Sequence, residues 1–396
     1  MKTEELIALS DKCIMNTYRR FPIVLVRGDG ARVWDSDGKE YLDFVAGIAV
    51  CSLGHSHPAV INAISRQVEI LTHVSNLYYI EPQIILASRL VKHSFADKVF
   101  FCNSGAEANE AAIKLARKYA HENMEGDKYQ IITMENSFHG RTLATVTATG
   151  QKKFQVGFDP LPEGFTYVPF NNISAIEKAI TESTCAVMVE PIQGESGIRI
   201  PADDYLPQLR KLCDDKGILL IFDEIQSGMG RTGTLFAYEH SGTQPDIMTL
   251  AKALGNGYPL GAMLATDKVA SAFVPGNHAS TFGGNPLGMA AGIAVIDTML
   301  DDGVLDNCKE IGSYFLKRLH NLKERHAVIV DVRGKGLMLG MELSIPGDDI
   351  VKNIMVKGIF INCTNGNVLR FVPPLIVDRE DVDRVITVLD EVLGSS

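Results

Sequence analysis

Six short runs dominated by apolar residues punctuate the middle of this chain: KVFFC (98–102), QIITM (130–134), AVMVE (186–190), ILLIF (218–222), DIMTL (246–250) and GAMLA (261–265). Helical patterns lie between them. In GAEANEAAIKLARKYAHE, for example, Ala108, Ala112, Leu115 and Tyr119 fall on one stripe. A strand that is apolar throughout has no face to give to water. Strands of that kind, separated by helices, predict an α/β fold whose mostly parallel sheet is covered by helices on both faces. On either side the pattern changes. Residues 22–45 read as short strands, with Asp37–Gly38 as a hairpin turn. From about 285 a long helix leads into VIVDVRGKGLMLGMEL and then alternating short elements, a smaller α+β unit. The expected division is an N-terminal segment over 1–55 that joins the small domain, a large domain over 56–284, and the small domain over 285–396. A chain of 396 residues suits two or three packed units of this kind.

In open α/β sheets ligands bind beyond the carboxyl ends of the strands, so the residues after each run are the candidates for chemistry. After KVFFC come Asn103, Ser104, Gly105 and Ala106, which open a strong helix and so offer free N–H groups to a phosphate. Phe138, His139 and Arg141 follow QIITM, and an arginine there can hold a carboxylate. AVMVE ends at Glu190, with Glu195 in the glycine turn beyond it. ILLIF is followed by Asp223, Glu224, Ile225 and Gln226, and DIMTL by Lys252.

Lys252 reads two ways. It is either the first residue to reach solvent after a buried strand, or an amine whose pKa is lowered in a dry site, able to form a Schiff base. Each of the other candidates also has an ordinary explanation. Together, however, they put a phosphate cradle, an aromatic ring, an arginine, a carboxylate and a lysine along one edge of the sheet. Pyridoxal phosphate requires that set: a lysine for its aldehyde, an acid for its ring nitrogen and a helix end for its phosphate.

Two patterns compete. GMGRTG (228–233) matches the dinucleotide fingerprint of a nicotinamide oxidoreductase, but five residues separate it from its strand and no convincing helix follows. His55 and His57 form an HxH pair with no third ligand nearby, so a turn is expected there and no metal site. A net charge of −10 argues against nucleic acid or an anionic membrane as the main partner. The seven dispersed cysteines fit reduced thiols. MKTEELIALSDKC lacks the apolar core of a signal peptide, and no run of 18 apolar residues occurs, so a soluble, cytoplasmic protein is expected.

Nearly end to end, the chain resembles the class III (ω-amino acid) aminotransferases of the fold-type I pyridoxal-phosphate enzymes. The likeness runs through NTYRRFPIVLVRGDG, YLDFVAGIAV, GHSHP, SNLYYIEPQ, NSGAEANEAAIKLARKYA, SFHGRTLATVTATGQ, EPIQGESG, FDEIQSGMGRTG, TLAKALGNGYPLGA, STFGGNP and RFVPPL. It implies that Lys252 carries the cofactor and shuttles the proton, that Asp223 partners the pyridine nitrogen, and that Gln226 bonds the ring hydroxyl. Gly105 and Ala106 would bind the phosphate and Phe138 would stack on the ring; Glu224 and Ile225 are counted in the same site. Thr281 would reach the phosphate of a neighbouring subunit, which implies a homodimer with shared active sites. Ser280, Tyr18 and Arg141 match substrate contacts. Glu195 and Arg370 resemble a switchable pair, with Arg370 masked while the ω-amino donor is bound and then freed for glutamate. The resemblance further implies N-acetylornithine as donor and 2-oxoglutarate as acceptor, in arginine biosynthesis. Ornithine, succinylornithine, N-succinyl-diaminopimelate and 4-aminobutyrate stand as alternative donors.

Overall fold

A computed structural model describes residues 2–394 of the chain. Three strands come first: β1 (Leu25–Asp29), β2 (Arg32–Asp35) and β3 (Glu40–Asp43), with Gly38 at φ +84° in the turn joining the last two. The apolar runs all become strands: β4 (Lys98–Cys102), β5 (Gln130–Met134), β7 (Thr184–Val189), β8 (Leu219–Asp223), β9 (Ile247–Leu250) and β10 (Gly261–Ala265). β6 (Phe165–Val168) lies between β5 and β7 in sequence and was not expected. It pairs only with β5, at the edge of the sheet, and three of its four residues keep contact with water. No continuous apolar run marks it for that reason.

The sheet order is β4-β10-β9-β8-β7-β5-β6. β5 pairs in parallel with β6 and β7, β7 with β8, and β8 with β9, whereas β10 is antiparallel to both its neighbours, β4 and β9. This one reversal matters for the site. The carboxyl ends of the other strands lie on one edge of the sheet, and β10 brings its amino end there, with Gly261 opposite Cys102. The helix Gly105–Asn123 covers one face and buries Ala108, Ala112, Leu115 and Tyr119.

Beyond the large sheet the expected single long helix is two, Pro286–Asp301 and Val304–Arg325, divided at Gly303. Gly303 sits at φ +72°, where glycine escapes the Cβ clash that penalises other residues. β11 (Ile329–Lys335), β12 (Met338–Leu343), β14 (Asn362–Thr364) and β15 (Val368–Phe371) form an antiparallel sheet. β13 (Ile359–Phe360) instead pairs in parallel with β3, so the N-terminal strands share a sheet with the C-terminal part. No helix among the described residues is long and apolar enough to cross a membrane.

Candidate active site

The strand ends converge on a cavity of about 410 Å³. At one end, Ser104 caps the helix by accepting a hydrogen bond from the Glu107 N–H at 3.2 Å. The first-turn N–H groups of Gly105 and Ala106 have no partner within the helix and carry its positive dipole end. Both residues line the cavity. A Cβ on Gly105 would lie 2.8 Å from the Ile225 side chain, so glycine alone lets the helix start approach the loop after β8.

Asp223 closes β8 at 4% exposure. Its Oδ1 accepts from the Ile225 N–H at 3.1 Å, while Oδ2 lies 2.8 Å from both Asn109 Nδ2 and His139 Nδ1. The other imidazole nitrogen, His139 Nε2, is buried without a partner. A second carboxyl, Glu190, lines the same cavity and accepts from the Phe138 N–H at 3.1 Å. Burial, and then the charge of Asp223, push Glu190 well above the ordinary carboxylic range, toward its neutral form.

Lys252 follows β9 with its backbone at φ +45°, a conformation that costs an L-residue roughly 1–2 kcal/mol. Strain of that kind collects at functional sites. Among the described residues, no hydrogen bond or ion pair engages its ammonium. Desolvation lowers its pKa from 10.5 to about 8, against the opposing attraction of Glu195. Beside it, Arg370 on β15 is 1% exposed and donates from Nη1 to Glu195 Oε1 at 2.6 Å, to the Gly194 carbonyl at 3.2 Å and to Gln226 Oε1 at 3.3 Å. Gln226 Nε2 also donates to Glu195 Oε1, at 3.1 Å. Burial would raise Glu195, but Arg370 and Lys252 outweigh it and hold the carboxyl at about 2. A Cβ on Gly194 would come within 2.2 Å of Gln226 Oε1, so this cluster also depends on a glycine.

Of the residues expected at the site, Gly105, Ala106, Phe138, Arg141, Glu195, Asp223, Ile225, Gln226 and Lys252 line the cavity. The Arg141 guanidinium lies 5.6 Å from the Phe138 ring centre and 4.0 Å from that of Phe154. Arg370 reaches the site through Glu195. Glu224 does not: its carboxylate turns away and accepts the N–H groups of Ala237 and Tyr238 at 2.6 and 2.8 Å. Successive residues at a strand end point to opposite faces, which separates it from Asp223. Tyr18 lies exposed in the N-terminal segment under Arg20, away from the cavity-lining residues. Thr281 is likewise exposed on its loop, where Ser280 Oγ accepts from Asn103 Nδ2 at 3.1 Å. Asn109 and Tyr258 were not anticipated. The one signal for Asn109 was an amide amid the alanines of a buried helix stripe.

The competing patterns find structural roles. The turn carrying GMGRTG leads only to the short 3₁₀ segment Ala237–His240, so no α-helix end stands behind it. His55 Nε2 lies 2.8 Å from Asp43 Oδ2 and steadies the turn after β3. The cavity itself suits pyridoxal phosphate on independent grounds: an unpartnered amine of lowered pKa, a carboxylate at a strand end, an orphaned buried imidazole nitrogen and a helix start.

The Aminotransferase class-III family matches residues 13–393. An acetylornithine aminotransferase of Caldanaerobacter subterraneus subsp. tengcongensis is 54% identical over 390 residues, covering 98% of this chain and 99% of that protein. One from Methanocaldococcus jannaschii is 54% identical over 395 residues, covering 99% and 98%. Among solved structures, the ornithine aminotransferase from Toxoplasma gondii ME49 superposes with a TM-score of 0.96 at 34% identity, covering 100% of this chain and 96% of that one. The chain belongs to the class-III aminotransferases, which use pyridoxal phosphate to move amino groups between small molecules.

Proposed function

We propose that this chain transfers the δ-amino group of N2-acetyl-L-ornithine to 2-oxoglutarate, giving N-acetylglutamate 5-semialdehyde and L-glutamate by a ping-pong route within arginine biosynthesis. The observation that carries the reaction type is Lys252, desolvated and unpartnered beside the Glu195–Arg370 pair. The choice of donor is supported by full-length likeness to proteins named for acetylornithine.

Bound in the cavity, pyridoxal phosphate supplies an aldehyde for an amine and a protonated ring that draws electrons from the carbon losing its proton. In this reading Asp223 holds the proton of the ring nitrogen, Gln226 bonds the ring hydroxyl and Phe138 covers the ring face. Gly105, Ala106 and the Ile225 loop receive the phosphate. Lys252 Nζ, its pKa close to the working range, takes the proton from the donor carbon and returns it along the chain of bonds. Glu195 keeps Arg370 occupied while the acylated donor is present; when 2-oxoglutarate enters, its carboxylate replaces Glu195 on the guanidinium. Arg141, exposed at the rim, receives the donor's own carboxylate, with Ser280, bonded to the cavity-lining Asn103, beside that end.

Ile48 supports the acylated donor. It lies two residues before the cavity-lining Val50, in a turn where Ala46, Gly47, Ile48 and Ala49 all have positive φ. An isoleucine accepts no hydrogen bond, so a free ammonium desolvated there is penalised and a neutral amide less so.

A homodimer completes the reading. Asn76 Nδ2 donates to the Gly283 carbonyl at 2.8 Å, joining two segments that both expose large apolar side chains: Leu77, Tyr78 and Tyr79 on one, Phe282 on the other. A second copy covering this surface would bring Thr281 toward its partner's phosphate site. A cytoplasmic setting agrees with seven unpaired cysteines.

The test is a panel of amino donors assayed with 2-oxoglutarate. N-Acetylornithine should exceed ornithine and 4-aminobutyrate in kcat/KM by roughly a hundredfold or more, and Ile48→Tyr should narrow the gap to ornithine. Equal use of free ornithine or 4-aminobutyrate would refute the assignment.

A further inference from the structure

Asp223 and Glu190 are two buried carboxyls on one cavity, and the donors are shared between them unequally. Glu190 receives backbone N–H groups only, those of Phe138 and Gly194. Asp223 receives the Ile225 N–H, Asn109 Nδ2 and the His139 ring. The Asn109 amide does more than donate to Asp223. The same Nδ2 donates to the His139 carbonyl at 2.7 Å, and its Oδ1 accepts from Thr249 Oγ1 at 2.7 Å. Asn109 and Thr249 are 0% exposed, and neither lines the cavity.

The Asp223 carboxylate and the His139 carbonyl, which can only accept, settle which way the amide faces, and the Thr249 hydroxyl then donates to Oδ1. Only with Oδ1 toward Thr249 do both hydrogens of Nδ2 point at Asp223 and at the His139 main chain. The chain Thr249–Asn109–Asp223/His139 thus ties β9, the helix Gly105–Asn123, the end of β8 and the loop after β5 into one network. Thr249 stands three residues before Lys252, on the strand that delivers the lysine.

We propose that Asn109 and Thr249 are positioning residues, which fix the Asp223 carboxylate and the His139 loop in register with Lys252. This rests on the reading of Asp223 as the partner of the ring nitrogen. Without the Thr249 hydroxyl the buried Asn109 Oδ1 is left without a donor, and the amide loses the bond that holds it, and through it Asp223, in register with β9. The loss should fall on cofactor affinity and on turnover rather than on donor binding, because the donor meets neither residue.

The experiment titrates the cofactor-free chain with pyridoxal phosphate and measures kcat and KM separately on the loaded enzyme. Thr249→Val keeps the shape and removes the hydroxyl. It should weaken pyridoxal phosphate binding roughly 2- to 12-fold, the range of one internal hydrogen bond, and lower kcat by a comparable factor with the donor KM unchanged. Thr249→Ser, which restores the hydroxyl, should recover both. In an Asn109→Leu background, Thr249→Val should add nothing, since the hydroxyl acts through the amide. A Thr249→Val variant that binds and turns over as the parent does overturns the proposal. So does an equal loss in Thr249→Ser, or a full further loss in the Asn109→Leu background. A parent chain that takes up no pyridoxal phosphate overturns instead the functional reading on which it rests.

Discussion

Replacing Lys252 by methionine should stabilise the cofactor-free chain near neutral pH while abolishing its chemistry. Methionine keeps the straight stem and the same left-handed backbone, so the substitution removes the charge and little else. Displacement of the lysine from 10.5 to about 8 means that the protonated native chain carries a cost of about 3 kcal/mol. The sign follows from proton counts. Below pH 8 the native and unfolded chains both hold the proton, and the full cost is present. Between pH 8 and 10.5 the unfolded chain still holds it and the native chain does not, so stability rises with pH and the cost is lost. Urea denaturation of both cofactor-free proteins should therefore give a variant more stable by up to about 3 kcal/mol at pH 7, the gap closing by pH 10.5. The same displacement leaves about a quarter of the amine neutral at pH 7.5, against about one in a thousand for an ordinary lysine. Borohydride should accordingly fix pyridoxal phosphate to the parent chain and not to the variant. A variant less stable at pH 7, or a gap that does not narrow above pH 8, would refute the account of a desolvated amine.

Asp223→Asn is isosteric but uncharged, so it should retain pyridoxal phosphate while the donor half-reaction slows by a factor of about a hundred or more; an unchanged single-turnover rate would remove Asp223 from its role. Glu224 is raised by burial from 4.5 to about 8, so the native chain holds a proton that the unfolded chain loses, and its contribution to stability declines as pH rises from 4.5 to 8. Glu224→Gln should flatten that decline in urea denaturation at pH 5 and pH 8 while leaving kcat intact. Light scattering should report a dimer, and Tyr79→Asp combined with Phe282→Asp should give a monomer with reduced affinity for pyridoxal phosphate.

What was legible in the sequence had local causes. β7 and β8 are buried along their whole length, so their composition alone marked them. β6 escaped notice because its edge position lets polar and apolar residues mix. The break at Gly303 was hidden because apolar periodicity continues on both sides of it. At the site, Asp223 and Lys252 were readable as the residues at which buried strands stop. Glu224 was assigned with its neighbour because a linear motif does not record which way each side chain turns. The role of Asn109 depends on strand order: it meets Asp223, 114 residues away, and Thr249, 140 residues away, only once β8 and β9 are side by side.

Arg231, in the glycine turn after β8, has a bearing on how the chain comes together in time. Its guanidinium is buried with no carboxylate partner among the described residues, and it donates to Ser52 Oγ, the Leu337 carbonyl and the Pro373 carbonyl, across 179, 106 and 142 residues. Desolvation lowers it to about 10, which still leaves it cationic at neutral pH. During synthesis the central sheet can assemble before Pro373 has been made, but this cation cannot then be enclosed without losing two of its acceptors. The turn must stay hydrated until the late segment arrives. Loop closure over such distances is slow to reward, so docking of the C-terminal strands should be the last ordered event, and with it Arg370, on β15, takes its place in the active site.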